Sequence, residues 1–308
     1  MGKLSVVVPC FNEQEAIPLF YQETTSVLQN VDCDYQILFV NDGSKDQSLQ
    51  VIEALANKDP KVKYISFSKN FGKEAAMLAG MSYSTGDLVA IMDVDLQDPP
   101  VLLPEMVEAI EKEGYDSVAT RRISRTGEPP LRSLFARIFY MLINKLSDAD
   151  IVDGARDYRM MTRQMIQSIL ELNEYHRFSK GIFGWVGYET KWLAYENIER
   201  VAGETKWSFW KLLKYALEGI IAFSTLPLRV ASFFGMAFSG FAFLLLVLIV
   251  IRRLLFGDPV AGWASTMSVI ILVSGLQMIF LGIMGEYLAR TYMETKARPK
   301  YFVKKKNI

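Results

Sequence analysis

The feature that most constrains this chain is the alternation in its first 120 residues. Short apolar runs take turns with helix-periodic stretches. LSVVVP (4–9) precedes a helical pattern from Glu13 to Val31, and YQILFV (35–40) precedes SLQVIEALAN. VKYISFS (62–68) precedes GKEAAMLAGMSYS, and DLVAIMDVD (87–95) precedes an amphipathic stretch from Pro100 to Lys112; YDSVAT (115–120) follows as another strand. These strand signals are apolar throughout, as happens when helices cover both faces of a sheet. The pattern predicts an α/β fold with a doubly wound, mostly parallel sheet. In such sheets the ligand crevice lies off the carboxyl ends of the strands. The polar clusters PCFNE, NDGS, SKNFGKE and DVDLQD fall at four of those ends.

The far end of the chain has a different character. Apolar residues make up 51% of the sequence, and the excess is concentrated in two uncharged runs, residues 230–251 and 259–285. A helix needs about 20 apolar residues to cross a bilayer, so both runs predict transmembrane helices. The N-terminus lacks a basic leader, so the first 220 or so residues are expected in the cytosol. Arg290, Lys296, Arg298, Lys300, Lys304, Lys305 and Lys306 form a basic tail that favours the cytoplasmic side; Arg252 and Arg253 count against that topology without reversing it. Residues 206–223 mix Trp207, Phe209 and Trp210 with Lys206, Lys211 and Lys214, as an interfacial helix would. The expected domains are therefore 1–205 catalytic, 206–228 juxtamembrane, 229–290 a two-helix membrane domain and 291–308 a basic tail. Cys10 and Cys33 suggest no disulfide framework.

The segment IMDVDLQDPP (91–100) puts Asp93, Asp95 and Asp98 within six residues. It could be a metal site, a general base or a polar turn before a helix. In an extended segment, residues two apart point the same way, so Asp93, Asp95 and Gln97 would offer oxygens on one side. Mg²⁺ commonly takes one or two carboxylates plus substrate phosphates. Asp98, ahead of Pro99 and Pro100, reads as a helix cap.

PCFNE, VNDGSKD, SKNFGKEAAMLAG and MDVDLQDPP, in this order and spacing, resemble glycosyltransferase family 2, whose catalytic domain has the nucleotide-sugar-binding GT-A fold. RVAGETKWSFWKLLKYALEGI, the two apolar runs and GEYLARTYMETKARPKYFV resemble its bactoprenol-type polyprenyl-phosphate glucosyltransferases, with dolichol-phosphate mannose synthases more distant. The resemblance implies that Pro9, Phe11, Asn12, Glu13 and Asp42 surround the nucleotide and that Lys73 meets its diphosphate. It implies Asp95 and Gln97 as ligands of Mg²⁺ or Mn²⁺, with Asp93 beside the nucleotide or metal. Asp157, in ARDYRMMTR, resembles the family's catalytic base, with Asp153 as an alternative. The acceptor phosphate would be held by the basic stretch, through Arg122, Arg132 and Arg137, and by Arg200 and Lys206. His176 reads as a structural loop residue.

These readings lead to an expected function. A membrane-bound, metal-dependent inverting transferase moves glucose from UDP-glucose to undecaprenyl phosphate at the cytoplasmic leaflet of the plasma membrane. N-acetylglucosamine, mannose or an aminoarabinose would satisfy the same motifs. A processive synthase is disfavoured, because Gln-x-x-Arg-Trp and extra spans are missing. A non-catalytic membrane adaptor is the other alternative, though Asp93, Asp95 and Gln97 argue against it. Glu286 at a predicted membrane boundary weakens a pore role. A homo-oligomer packing through Gly235, Gly240, Gly275 and Gly282 is expected, and no nucleic-acid partner is.

Overall fold

A computed structural model describes residues 2–122, 152, 154–196, 226–256 and 262–308. The chain divides into two compact units, Met1–Ala222 together with Arg298–Ile308, and Phe223–Ala297.

The first unit is built on one eight-stranded sheet. Its strands are β1 (Leu4–Cys10), β2 (Tyr35–Asn41), β3 (Val62–Phe67), β4 (Leu88–Ile91), β5 (Ser117–Arg122), β6 (Ala155–Thr162), β7 (Thr190–Tyr195) and β8 (Val303–Lys306). Their spatial order is β7-β5-β6-β4-β1-β2-β3-β8. The pairs β1–β2, β2–β3, β1–β4 and β5–β7 are parallel. Strand β6 runs antiparallel to β4 and β5, and β8 runs antiparallel to β3. The run β3-β2-β1-β4 is the doubly wound order, with its switch point between β1 and β4. The predicted GT-A-like, mostly parallel architecture is therefore present.

Every residue of β1 and β2 is buried. Helices α1 (Ala16–Leu28), α2 (Ser48–Lys58), α3 (Lys73–Tyr83), α4 (Leu103–Glu111), α5 (Arg163–Glu171) and α6 (Ser179–Trp185) accompany the strands. Helix α3 lies close on the sheet at Gly80. A Cβ there would come within 2.1 Å of Val7 Cγ1 and 3.3 Å of Val40 Cγ2. That approach fixes where α3 begins, and so where Lys73 stands.

Two sequence readings need correction here. Strand β4 ends at Ile91, not at Asp95. The chain turns immediately after it, with Leu96 at φ 57°, so a strand's two-residue period does not govern Asp93 and Asp95. The last residues also do more than form a basic tail. Val303–Lys306 adds β8 beside β3, with Lys305 paired to Glu53 at 2.5 Å and Tyr64 N–H donating to Asn307 Oδ1 at 2.6 Å.

The second unit contains α7 (Leu226–Phe256) and α8 (Trp263–Thr295). Among the described residues one segment, Leu272–Thr295 with mean hydropathy 1.5, is long and apolar enough to cross a bilayer; α7 contributes the shorter apolar stretch Val230–Leu245. Large apolar side chains such as Met236, Leu244 and Leu288 are exposed on both helices. Residues 206–223, predicted as an interfacial helix, lie outside the described residues.

Candidate active site

Three loops meet at the carboxyl ends of β1, β2 and β3, tied by backbone-to-side-chain hydrogen bonds. Asn12, at φ 56°, donates from its N–H to Ser44 Oγ (2.9 Å), and its Oδ1 accepts from Lys45 N–H (2.8 Å). Glu13 N–H donates to Ser48 Oγ at 2.9 Å. Gly43 takes φ +65°, and a Cβ on it would lie 2.3 Å from the Lys69 carbonyl carbon, so the NDGS turn needs glycine there. Asp42 is buried, and its two carboxylate oxygens accept from Phe71 N–H (2.6 Å) and Gly72 N–H (2.9 Å). Burial raises its pKa, while those two bonds act in the opposite sense. Asp42 thus anchors the β3–α3 loop, and the remaining lone pairs of its oxygens are what it can offer a nucleotide. Pro9 is buried inside β1 opposite Val40. It lies past the last β4 partner, since that ladder ends at Val7–Ile91.

Lys73 opens α3 and stands between two carboxylates. Its Nζ lies 2.6 Å from Asp93 Oδ1 and 2.6 Å from Asp157 Oδ2. Asp93 follows β4, and Asp157 lies on β6. Residues predicted separately for donor binding and for catalysis therefore share one cation. Burial alone would raise the Asp157 pKa, but the charges of Lys73, Lys180 and Arg156 outweigh it and hold the carboxyl well below the usual carboxylate range. Lys73 is correspondingly held protonated: partial desolvation works against its charge, and the charges of Asp157 and Asp93 more than offset that.

Behind this pair sits a second cluster. Arg156 Nε lies 3.4 Å from Asp98 Oδ1, and its Nη2 lies 3.9 Å from Asp93 Oδ2. Tyr195 OH donates to Asp98 Oδ1 at 3.1 Å, and Asp93 N–H to Asp98 Oδ2 at 3.3 Å. Asp98 is fully buried. It makes no cap: the short 3₁₀ turn Pro100–Leu102 starts from Pro99 without a side-chain cap bond. The cap reading is overturned because Arg156 and Tyr195 claim the carboxylate.

Asp95 is buried, and its Oδ1 accepts from Gln97 N–H at 3.2 Å. Asp95 and Gln97 carry oxygens of the hard kind that Mg²⁺ or Mn²⁺ takes, and could hold such an ion only with further ligands. Asp93 is already committed to Lys73. Among the described residues no group of three or more His, Cys, Asp or Glu could hold a metal ion by itself.

Glycosyl transferase family 2 matches residues 5–170. The chain belongs to that family. A prophage bactoprenol glucosyl transferase homolog of Escherichia coli (strain K12) is 42% identical over 98% of this chain and 99% of its own length. A bactoprenol glucosyl transferase of Shigella phage SfX is 43% identical, again over 98% and 99%. The matched stretch in this family 2 chain contains the three loops, Lys73, the acidic cluster and Asp157.

Of the expected acceptor residues, Arg122 ends β5, and its Nε and Nη2 are buried without a hydrogen-bond partner among the described residues. Arg132, Arg137, Arg200 and Lys206 lie outside the described residues, as does Asp153. His176 is exposed, its ring edge-on to Tyr175 at 5.2 Å. Sequence reasoning missed Arg156, Tyr195 and Glu74. Glu74 accepts from Ser179 N–H at 3.1 Å and also from Ser179 Oγ, tying α3 to α6. Burial pushes its pKa up to about 7, against the bonds from Ser179 and with help from Asp157. The available signal was charge inside a strand: ARDYRMMT carries Arg156, Asp157 and Arg159, and charged residues in strands of a covered sheet need partners.

Proposed function

We propose that this chain is an inverting glycosyltransferase that moves glucose from UDP-glucose to the phosphate of undecaprenyl phosphate or a similar polyprenyl phosphate. The observation that carries the reading is Lys73 bridging Asp93 and Asp157 at 2.6 Å each, at the switch-point crevice of the sheet. The names of the two relatives above support glucose and a bactoprenol acceptor. The same site chemistry would serve N-acetylglucosamine, mannose or an aminoarabinose.

The nucleotide would lie over the loops of Phe11–Glu13 and Asp42, with its diphosphate competing with the two carboxylates for the Lys73 ammonium. Asp95 and Gln97, with Asp93 at their edge, would hold a Mg²⁺ or Mn²⁺ ion that neutralises charge on the departing diphosphate. Asp157 binds protons too weakly to be a strong base. The acceptor does not require one, because a phosphate monoester has its second pKa near 6 and is mostly a dianion at neutral pH. Asp157 instead orients Lys73 and, through it, the donor phosphates.

The proposed setting is the plasma membrane, with the catalytic unit on its cytoplasmic side. At 1.5 Å per residue, the 31 residues of α7 and 33 of α8 extend about 46 and 50 Å, enough for two spans. Gly235, Gly240, Gly275 and Gly282 have open space where a Cβ would stand, which supports close packing of copies.

The test is incubation of the full chain with Mg²⁺, undecaprenyl phosphate and a panel of UDP- and GDP-sugars, with mass spectrometry of the lipid. A hexosyl adduct from UDP-glucose is expected; transfer from no donor refutes the proposal. Asp95→Ala should abolish metal-dependent turnover in a folded protein, and normal turnover would remove the metal assignment.

A further inference from the structure

A cavity of about 330 Å³ lies beside the acidic cluster, at the lower end of the size range of small-molecule sites. Its described wall includes Arg156, Arg159, Lys180, Phe183, Tyr188 and Trp192. Arg156 also pairs with Asp98, so cavity and cluster share a side chain.

Arg159 is the unusual group in this wall. It is only 4% exposed. Its guanidinium carbon lies 4.1 Å from the Phe183 ring centre and 5.9 Å from that of Trp192. Its Nε has no hydrogen-bond partner among the described residues. Stacking holds the plane of the guanidinium but leaves donors unmet, and a buried charge is costly until it is paired and hydrogen-bonded. Asp157 is the nearby carboxylate that acts on Arg159, and Asp157 is already held by Lys73. Lys180 adds a second cation from α6, its Nζ donating to Ala155 O at 2.9 Å with further donors to spare.

The described wall contains no carboxylate and no side-chain amide. A sugar presents hydroxyls that need acceptors as well as donors; against three cationic side chains, the described wall offers only the side-chain hydroxyls of Tyr188 and Thr190 as acceptors. It suits a ligand that only accepts. We propose that the cavity is a binding subsite for a phosphate monoester dianion, held by Arg159 and Lys180 with Arg156 at its edge. Resting on the polyprenyl-phosphate reading above, the occupant during transfer is the acceptor's phosphate, brought up beside Asp157. Free inorganic phosphate has the same chemistry and is the other source.

The experiment uses the full chain in detergent and titrates three probes by calorimetry: a short-chain isoprenyl monophosphate, the corresponding alcohol, and inorganic phosphate. UDP is titrated as a control on the donor side. Loss of charged hydrogen bonds of this kind weakens binding by roughly tenfold or more. Arg159→Met, which keeps a long apolar chain against Phe183, should show that loss for the isoprenyl monophosphate and leave UDP unchanged. Lys180→Gln, on a less buried residue, should weaken the same probe and guards against misfolding of the first variant. In turnover, both should raise the acceptor KM more than they lower kcat. Inorganic phosphate binding as tightly as the lipid monophosphate, with both variants reducing it, assigns the cavity to free phosphate and overturns the acceptor assignment. Equal binding of alcohol and monophosphate, or variants that bind like wild type, overturn the phosphate site. If wild type transfers no sugar yet binds isoprenyl monophosphate in an Arg159-dependent way, the transferase reading fails and the cavity assignment stands.

Discussion

Replacing Glu74 with Gln should flatten the dependence of stability on pH. Glu74 is held between α3 and α6 by Ser179, and its pKa is raised from an ordinary 4.5 to about 7. Between those two values the unfolded chain has released the proton and the folded chain keeps it. Each pH unit across that window therefore costs the folded state about 1.4 kcal/mol, and the total reaches about 3 kcal/mol near pH 7. Gln at this position cannot titrate and keeps one oxygen to accept from Ser179. The assay is thermal unfolding of the wild type and Glu74→Gln full-length chains, followed by near-ultraviolet circular dichroism from pH 5 to 8.5. Other titrating groups are common to both proteins and cancel in the difference. The wild-type Tm should fall relative to the variant by on the order of 5–10 °C as pH rises through the window. It should then level off above the folded pKa. Parallel curves would refute the reasoning, because they would mean that Glu74 titrates alike in folded and unfolded chains.

Asp98→Ala strips Arg156 of its nearest carboxylate in a buried setting and should cost about 3 kcal/mol, seen as a lowered Tm; an unchanged Tm would mean that Arg156 re-pairs. Gly80→Ala drives a methyl onto Val7 and should cost on the order of 1–3 kcal/mol, partly recovered by adding Val7→Ala, with denaturant unfolding as the measure. Asp157→Asn should reduce the sugar-transfer rate while donor binding, followed by nucleotide titration, is retained; an unchanged rate rejects its orienting role.

The sequence made the sheet core legible because β1 to β4 are short, apolar and each followed by polar residues, a pattern that hardly any other arrangement produces. It misjudged the end of β4, since Asp-Val-Asp imitates strand alternation while the backbone has already turned. It passed over β6 because Arg156, Asp157 and Arg159 make the strand look like a loop; their partners, Asp98 and Lys73, come from segments some 60 to 80 residues away. It passed over β8 because Val-Lys-Lys-Lys is too charged to read as a strand, although lysines are what an edge strand tolerates. In the site, Lys73 and the carboxylates were legible as types, but their sharing of one ammonium was not. That depends on how closely α3 packs on β1, which Gly80 permits.

Strand β8 has a consequence for how the protein can be cut. The chain leaves the first unit for the helices and returns to it at Arg298, so the helical pair is an insertion tethered at both ends rather than a detachable tail. The returning segment also stacks Tyr301 on Phe67 (4.9 Å between ring centres) and packs Phe302 near Phe71, whose N–H is bound by Asp42. A chain shortened after residue 300 would lose more than a short, mostly exposed tail. It would bare the backbone of β3 to sticky edge-to-edge pairing and slacken the loop that leads into Lys73. Solubilising the catalytic unit by trimming its C-terminus should therefore yield a protein that aggregates, whereas joining residue 298 back by a linker should not.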